Sequence, residues 1–285
     1  MRRLAPLLAA MLSTALLGAS QTDADAETPL ERGAYLVGAV AACGNCHSPL
    51  GPDGVPVPDQ ELAGRFVIKL PEFDAWAPNI TPASRVASWS DAELARAIRE
   101  GIRPDGSVIG PPMPIELYRG IADEDLMAIV AYLRTLPPVE NEVPRSTYNI
   151  PLPPSYGPPV VHIERPSEDD PVAYGAYLAG PVAHCTECHT PMIGGHFDFE
   201  NSMGAGGREF PGPWGVSVSA NLTPAEHALA RLSDAEVVDI IRTGQRPDGT
   251  RLLPPMGVAF YSEMTERDAQ AIVAWLRTLP PKSTP

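Results

Sequence analysis

Apolar residues recur with the period of an α-helix at four places in this chain, two in each half. The two shorter stripes lie at 94–98 and 237–241, and the two longer stripes lie at 126–133 and 269–276. In the longer stripes the apolar positions follow i, i+3, i+4 and i+7, which places them on one face of a helix. The pattern therefore predicts the same two amphipathic helices in each half.

Polar residues mark where these helices start and stop. Ser90 with Glu93, and Ser233 with Glu236, have the spacing of a capping box at the start of the shorter helices. A glycine after each of these helices suits the left-handed position that ends a helix. These two glycines are Gly101 and Gly244.

The longer helices differ at their first residue. Thr265 can cap the second of them, whereas Ala122 stands at the equivalent place in the first and has no capping side chain. We therefore expect a weaker start for the first copy. Pro137 and Pro280 end both helices, because proline cannot continue a helix.

One more apolar, alanine-rich stretch in each half predicts a helix at about 29–42 and about 171–184. Each stretch contains a Gly-x-Tyr-Leu string, with Gly33 and Tyr35 in the first and Gly175 and Tyr177 in the second. A glycine on a helix face permits close approach of a neighbouring backbone. We expect these residues to let the first and last helices of each half cross closely.

These elements belong to a tandem duplication with a period of about 142 residues. Proline is frequent throughout, at 34 of 285 residues, and it is dense between the two copies. Such a segment is extended and semi-rigid. We expect a signal peptide at 1–26, one domain at 27–138, a Pro-rich linker at 139–170 and a second domain at 171–285.

Each copy contains one Cys-x-x-Cys-His string, which is the attachment pattern of c-type haem. The two thiols add across the vinyl groups of the haem, and the adjacent imidazole binds the iron. The chain has no cysteine outside these strings. The sequence thus predicts two covalently attached haem c groups, held by Cys43, Cys46 and His47 and by Cys185, Cys188 and His189.

Two other uses of Cys-x-x-Cys remain open at this point. A redox dithiol of the thioredoxin kind would follow a strand in a βαβ unit, and both strings here follow helical stretches instead. A zinc site would need the two cysteine pairs to meet as one set of four ligands. The repetition around each string favours two separate haem sites over both alternatives.

A methionine is the predicted second ligand of each iron. Met113 and Met256 each follow a Pro-Pro pair in a loop between helices, and they are the only methionines that recur at equivalent positions after the signal peptide. Thioether ligation raises the potential of haem iron. The alternative for any methionine is core packing, and we expect that role for Met127 and Met264.

Further repeated polar residues are candidates for contact with haem propionates, which need donors where they are partly buried. Each of them could instead close a turn of the backbone. The candidates in the two copies are Arg65, Asn79 and Tyr118, and Arg208, Asn221 and Tyr261.

The chain begins with Met1-Arg2-Arg3 and a Leu/Ala-rich run, which predicts a secretory signal and a periplasmic location. The rest of the sequence contains no run of about 18 apolar residues, so we expect no membrane span. The formal net charge is −14, which disfavours nucleic acid and favours basic surfaces on a protein partner. Acidity can equally serve solubility alone.

Both halves resemble class I cytochrome c domains, on the evidence of the first helix, the haem string, the loop methionine and the last helix. The strings at 79–82, 89–93 and 132–138 are similar to those of cytochrome c subunits that serve periplasmic dehydrogenases. The resemblance covers 28–138 and 172–281. It implies an all-α fold, covalent haem and iron bound by histidine and methionine.

The hypothesis that follows is a periplasmic dihaem cytochrome, without enzymatic activity, that transfers single electrons. Its donor would be a dehydrogenase or oxidoreductase, and its acceptor a downstream cytochrome or oxidase. The main alternative is a dihaem peroxidase-type enzyme with one open haem position. A haem-based sensor would likewise require a vacant position on the iron.

Overall fold

The structure is a computed structural model that describes residues 27–51 and 55–285. The predicted signal peptide at 1–26 lies outside the described residues. In the first repeat the helices and strands are α1 (Pro29–Tyr35), α2 (Cys43–His47), β1 (Arg65–Lys69), β2 (Phe73–Ala77), α3 (Asp91–Glu100), α4 (Ile115–Tyr118) and α5 (Asp123–Thr135).

The linker contributes a short strand, β3 (Thr147–Tyr148), and the second repeat then follows the same order with one additional hairpin. Its elements are α6 (Pro171–Tyr177), α7 (Cys185–Cys188), β4 (Met192–Ile193), β5 (His196–Phe197), β6 (Glu209–Gly212), β7 (Gly215–Val218), α8 (Asp234–Thr243), α9 (Val258–Tyr261) and α10 (Glu266–Leu276).

The predicted helix ends agree with the structure. Both capping boxes are formed, and Gly101 and Gly244 are left-handed at the ends of α3 and α8. Thr265 accepts a hydrogen bond from the Asp268 amide, whereas Ala122 makes no side-chain cap. The helices expected at 29–42 and 171–184 are α1 and α6. Each is extended by one π-helical turn, Leu36–Val40 after α1 and Leu178–Val182 after α6.

The prediction of an all-α fold is wrong. About 36% of the chain is helical and about 12% is strand, in three small sheets among the described residues. In each repeat an antiparallel hairpin, β1–β2 or β6–β7, stands between the haem string and the next long helix. The sequence reasoning missed these strands because they span five residues or fewer, too short for a clear period of two.

The linker lies along the first repeat. Its strand β3 pairs antiparallel with β2, so that the first hairpin becomes a three-stranded sheet. The hydroxyl of Ser146 accepts from the Trp76 amide and donates to the Trp76 carbonyl, and Tyr148 packs on Phe73 with ring centroids 6.1 Å apart. The Pro-rich segment is therefore an integral part of the first repeat's surface.

Close crossing of α1 on α5, and of α6 on α10, defines the core of each repeat. A Cβ atom added to Gly33 would lie 2.0 Å from the Ala128 carbonyl oxygen, and one added to Gly175 would lie 1.8 Å from that of Ala271. No side chain fits at either position. The predicted structural role of these two glycines is confirmed.

The two repeats share one continuous hydrophobic core. Across their junction the Tyr35 hydroxyl donates to Asp268 at 2.7 Å, and the Tyr177 hydroxyl donates to Asp125 at 2.7 Å. The two bonds join residues at equivalent positions of the two repeats, so the junction has pseudo-twofold symmetry. One further residue breaks the symmetry, because the Arg32 guanidinium binds both Asp125 oxygens at 2.9 Å.

Candidate functional site

The two Cys-x-x-Cys-His strings form short helices at the junction between the repeats. A left-handed residue precedes each of them, Ala42 at φ 47° before α2 and His184 at φ 44° before α7. The sharp turn directs the chain out of the long first helix, and the helical spacing then places the two cysteines of each string on one face. All four cysteines are free and partly buried.

Each motif histidine is oriented by a backbone carbonyl. Nδ1 of His47 lies 2.8 Å from the Pro78 oxygen, and Nδ1 of His189 lies 2.7 Å from the Ala220 oxygen. A carbonyl can only accept, so the proton is on Nδ1 and the lone pair is on Nε2. Burial lowers the pKa of both histidines, which keeps them neutral and suitable as metal ligands.

The surroundings of the cysteines suit thioethers better than thiolates. Burial raises the pKa of Cys43, Cys185 and Cys188 to about 12, and it also raises the pKa of Cys46. Catalytic or redox-active cysteines have the opposite property, a lowered pKa in an electropositive setting. A cysteine sulfur in a thioether carries no charge, so an apolar pocket suits it.

The structure does not form the zinc site that was left open. Among residues 27–51 and 55–285, no group of three or more histidine, cysteine or acidic side chains is placed to hold a metal ion. The two cysteine pairs therefore do not meet as one set of four ligands.

The predicted methionine ligands lie in matching loops. Met113 and Met256 are partly buried against the common core, as are Cys43 and Cys185. Each methionine directly follows a Pro-Pro pair joined by a cis peptide bond, Pro111-Pro112 or Pro254-Pro255. A short helix, α4 or α9, begins two residues after each methionine. The two loops thus present their methionines from equivalent positions.

The two predicted arginines lie beside the haem strings. A terminal nitrogen of Arg65 donates to the Asn45 carbonyl at 2.6 Å, and one of Arg208 donates to the equivalent Glu187 carbonyl at 2.6 Å. The Arg65 Nε is buried and has no hydrogen-bond partner in the described part of the chain. An anionic group such as a propionate would satisfy this donor, so the pocket fits haem on an observation independent of the motif.

The two predicted asparagines have bonds within the protein. The side-chain amide of Asn79 donates to the carbonyl of Val139, and that of Asn221 donates to the carbonyl of Lys282. Both side-chain oxygens accept from the threonine two residues further on, Thr81 or Thr223, through its amide and its hydroxyl. These asparagines hold the segment that follows the last helix of each repeat; their role toward haem stays a prediction.

Side chains of the first repeat contact the second repeat next to its candidate haem site, and the sequence alone did not predict these contacts. The Asn45 amide of the first string donates to the Pro255 carbonyl in the methionine loop of the second repeat, at 3.1 Å. Tyr118 lies edge-on to His184, with ring centroids 5.8 Å apart. The recurrence of Tyr118 as Tyr261, both buried, was the available signal for this contact region.

No helix within the described ranges has both the length and the apolar character needed to cross a bilayer. No protein-family model matches the chain.

Comparison with curated proteins gives several relatives that are cytochrome subunits of dehydrogenases. The chain is 30% identical, over 99% of its length, to the fructose dehydrogenase cytochrome subunit of Gluconobacter japonicus. It is 30% identical, over 90% of its length, to the cytochrome c subunit of the quinone alcohol dehydrogenase of Gluconacetobacter polyoxogenes. These alignments span 61% and 57% of the two relatives.

A shorter relative matches over most of its own length. The diheme cytochrome c-type protein of Cereibacter sphaeroides is 27% identical to the chain, which covers 82% of it. The names of these relatives agree with covalently bound haem c in this chain, and one of them is a diheme protein. These comparisons confirm the predicted resemblance to c-type cytochromes, among them the cytochrome c subunits of dehydrogenases.

Proposed function

We propose that this protein is a periplasmic dihaem cytochrome that accepts single electrons from a dehydrogenase and passes them to a downstream cytochrome or oxidase. The observation that carries the proposal is the duplicated site, with its partly buried neutral histidine, its pair of uncharged cysteines and its matching methionine loop. The relatives support it, because several are the cytochrome subunits of dehydrogenases.

In this proposal the ligand residues divide as the sequence predicted. The four cysteines would hold the haem groups through thioether bonds, and His47 with Met113 and His189 with Met256 would bind the iron atoms. Haem supplies the reversible one-electron couple when it is bound. The protein is organised as two cytochrome c domains, at 27–138 and 171–285, joined by the Pro-rich linker at 139–170.

The residues of the chain contribute rigidity to electron transfer. The carbonyls of Pro78 and Ala220 hold the two imidazole rings in place, and Arg65 and Arg208 fix the haem helices. A site in which both axial ligands are held changes little in geometry between oxidation states. Electron transfer needs that small change, and it needs no general base or substrate pocket.

A peroxidase-type enzyme is the competing function, since it would need one iron position open to peroxide. The ferrous protein should be exposed separately to carbon monoxide and to hydrogen peroxide, with absorbance recorded. An electron carrier with two filled axial positions should bind no carbon monoxide and should turn over no peroxide. Binding of carbon monoxide at either haem, with peroxide turnover, would support the enzyme instead.

The dehydrogenase partner can be tested with the source bacterium's periplasmic extract. The oxidised protein should be added to extract from a strain that lacks its gene, together with fructose, ethanol or gluconate. Reduction that depends on one of these substrates would support the donor assignment. Absence of substrate-dependent reduction with every dehydrogenase substrate tried would contradict it.

A further inference from the structure

The two methionine loops are held by different parts of the molecule. We propose that Asn45 and Ser217 are positioning residues for Met256 and that neither acts on Met113. The inference rests on the proposed function, because it takes both methionines as iron ligands. It adds that the iron–sulfur bond of the second haem is held from the haem helix of the first repeat.

Two side chains hold the carbonyls that directly precede Met256. The Ser217 hydroxyl, on strand β7, donates to the Pro254 carbonyl at 2.6 Å. The Asn45 amide, from the first repeat, donates to the Pro255 carbonyl at 3.1 Å. Both bonds fix the backbone next to the methionine, one from each repeat, so they limit how far the thioether can move.

The first repeat cannot make the same two bonds. Ala75 stands at the position equivalent to Ser217, and Glu187 stands at the position equivalent to Asn45. An alanine side chain has no donor, and an ionised carboxylate only accepts. Within the described ranges, no side chain donates a hydrogen bond to the carbonyl of Pro111 or to that of Pro112.

The linker holds the first methionine loop instead. The Tyr156 hydroxyl donates to the Ile109 carbonyl at 2.9 Å, four residues before Met113. Tyr148 and Leu152 pack against Gly110, so closely that a Cβ atom there would lie 2.6 to 2.8 Å from them. Each loop therefore has its own support, and a change in one support should affect one haem.

The position of Asn45 gives the arrangement a directional consequence. Asn45 lies between Cys43 and Cys46 in the first haem string, and its backbone carbonyl accepts from Arg65. Its side chain reaches the second methionine loop. The folded first haem string thus supplies one of the bonds that hold the second methionine loop. Glu187, at the equivalent position of the second haem string, cannot donate such a bond to the first methionine loop.

Imidazole is a suitable probe, because it competes with methionine for ferric iron. The oxidised dihaem protein should be titrated with imidazole, and the two ligating methionine methyl groups should be followed separately by their paramagnetically shifted NMR signals in the same oxidised protein. Loss of one hydrogen bond, in Asn45→Asp or in Ser217→Ala, should tighten imidazole binding at the second haem about fivefold, the equivalent of about 1 kcal/mol. Binding at the first haem should not change.

Tyr156→Phe is the matched control, and it should weaken only the support of Met113. In this variant we expect tighter imidazole binding at the first haem and unchanged imidazole binding at the second haem. Ser217→Ala lies outside the haem string, so it preserves haem attachment if Asn45→Asp does not. Unchanged imidazole binding in Ser217→Ala, or equal changes at both haems in any of the three variants, would overturn the inference.

The same titration separates this inference from the function on which it rests. If the unmodified protein shows no methionine methyl signal from the second haem, then the proposed ligation fails. If both methionine signals are present and the variants alter nothing, then the ligation stands and only the positioning role fails.

Discussion

At the scale of single residues, the environment of each haem string is set by charge and by backbone donors and acceptors. Arg65 is a partly buried cation whose buried Nε has no hydrogen-bond partner among the described residues, and no acidic side chain in that part of the chain pairs with it. Burial lowers its pKa, yet an arginine stays charged at any physiological pH. A cation so placed favours the reduced, less positive state of a nearby iron.

Arg65→Gln should therefore lower the reduction potential of the first haem. The expected loss of electron affinity is on the order of 1 kcal/mol, because the interaction occurs in a partly buried setting. Arg208→Gln is the matched control and should act on the second haem. Redox titration followed by absorbance would check both. A potential that stays constant in Arg65→Gln would contradict the proposed position of this cation close to the iron of the first haem.

Residue types were the part of the site that the sequence could predict. The haem strings predict Cys43 and His47 as haem contacts directly, because covalent attachment requires that spacing. The partner of the His47 ring was not predictable, since the Pro78 carbonyl reaches it only through the folded hairpin region. The asparagines were ambiguous for the same reason, as their bonds to Val139 and Lys282 depend on tertiary structure.

At the scale of helices and strands, each repeat depends on one close helix crossing. Gly33 on α1 and Gly175 on α6 permit it, and the repeated arginine of the last helix ties that helix to the rest of the repeat. Arg134 donates to the carbonyls of Val86 and Trp89, and Arg277 makes the equivalent bonds in the second repeat. The repeated strings thus have a structural explanation.

Gly33→Ala should destabilise the protein by about 1 to 3 kcal/mol, because the new methyl group would overlap the Ala128 carbonyl. Gly38→Ala is the matched control. That glycine lies on the same helical segment, is exposed and has nothing within 4 Å of an added Cβ atom. Chemical denaturation of both variants would measure the difference. Equal stability of the two would contradict the close crossing.

Helices were more predictable than strands in this chain. Capping boxes and left-handed glycines are local signals, so the ends of α3 and α8 could be predicted from a few residues each. The hairpin strands are too short to show a clear period of two, and β3 pairs with a strand distant in sequence, as in the pairing of Phe73 with Tyr148 of the linker. A strand of two residues such as β3 has no sequence pattern of its own, which explains the wrong all-α prediction.

At the scale of the whole molecule, the two repeats form one pseudo-twofold body. The bonds from Tyr35 to Asp268 and from Tyr177 to Asp125 cross the junction in opposite directions. The sequence shows that the two tyrosines and the two aspartates recur at equivalent positions of the repeat. It does not show that each tyrosine bonds to the aspartate of the other repeat. The junction also places the first haem string against the methionine loop of the second repeat, through the bond from Asn45 to Pro255.

Tyr177→Phe should lower the free energy of unfolding by about 1.5 to 3 kcal/mol, because a buried hydrogen bond to a carboxylate is lost. Tyr35→Phe should have a similar effect through Asp268. Tyr132→Phe is the control, since its hydroxyl has no side-chain hydrogen bond to the described residues. Denaturation curves would compare the three variants. No loss of stability in either junction variant would contradict the reciprocal bonding.

The central claim is that one chain carries two low-spin haems, each bound by histidine and methionine. The most direct test is an electron paramagnetic resonance spectrum of the fully oxidised, purified protein, integrated against protein concentration. The account predicts two low-spin ferric signals per chain and no high-spin signal. A high-spin ferric component, or fewer than two haems per chain, would contradict it.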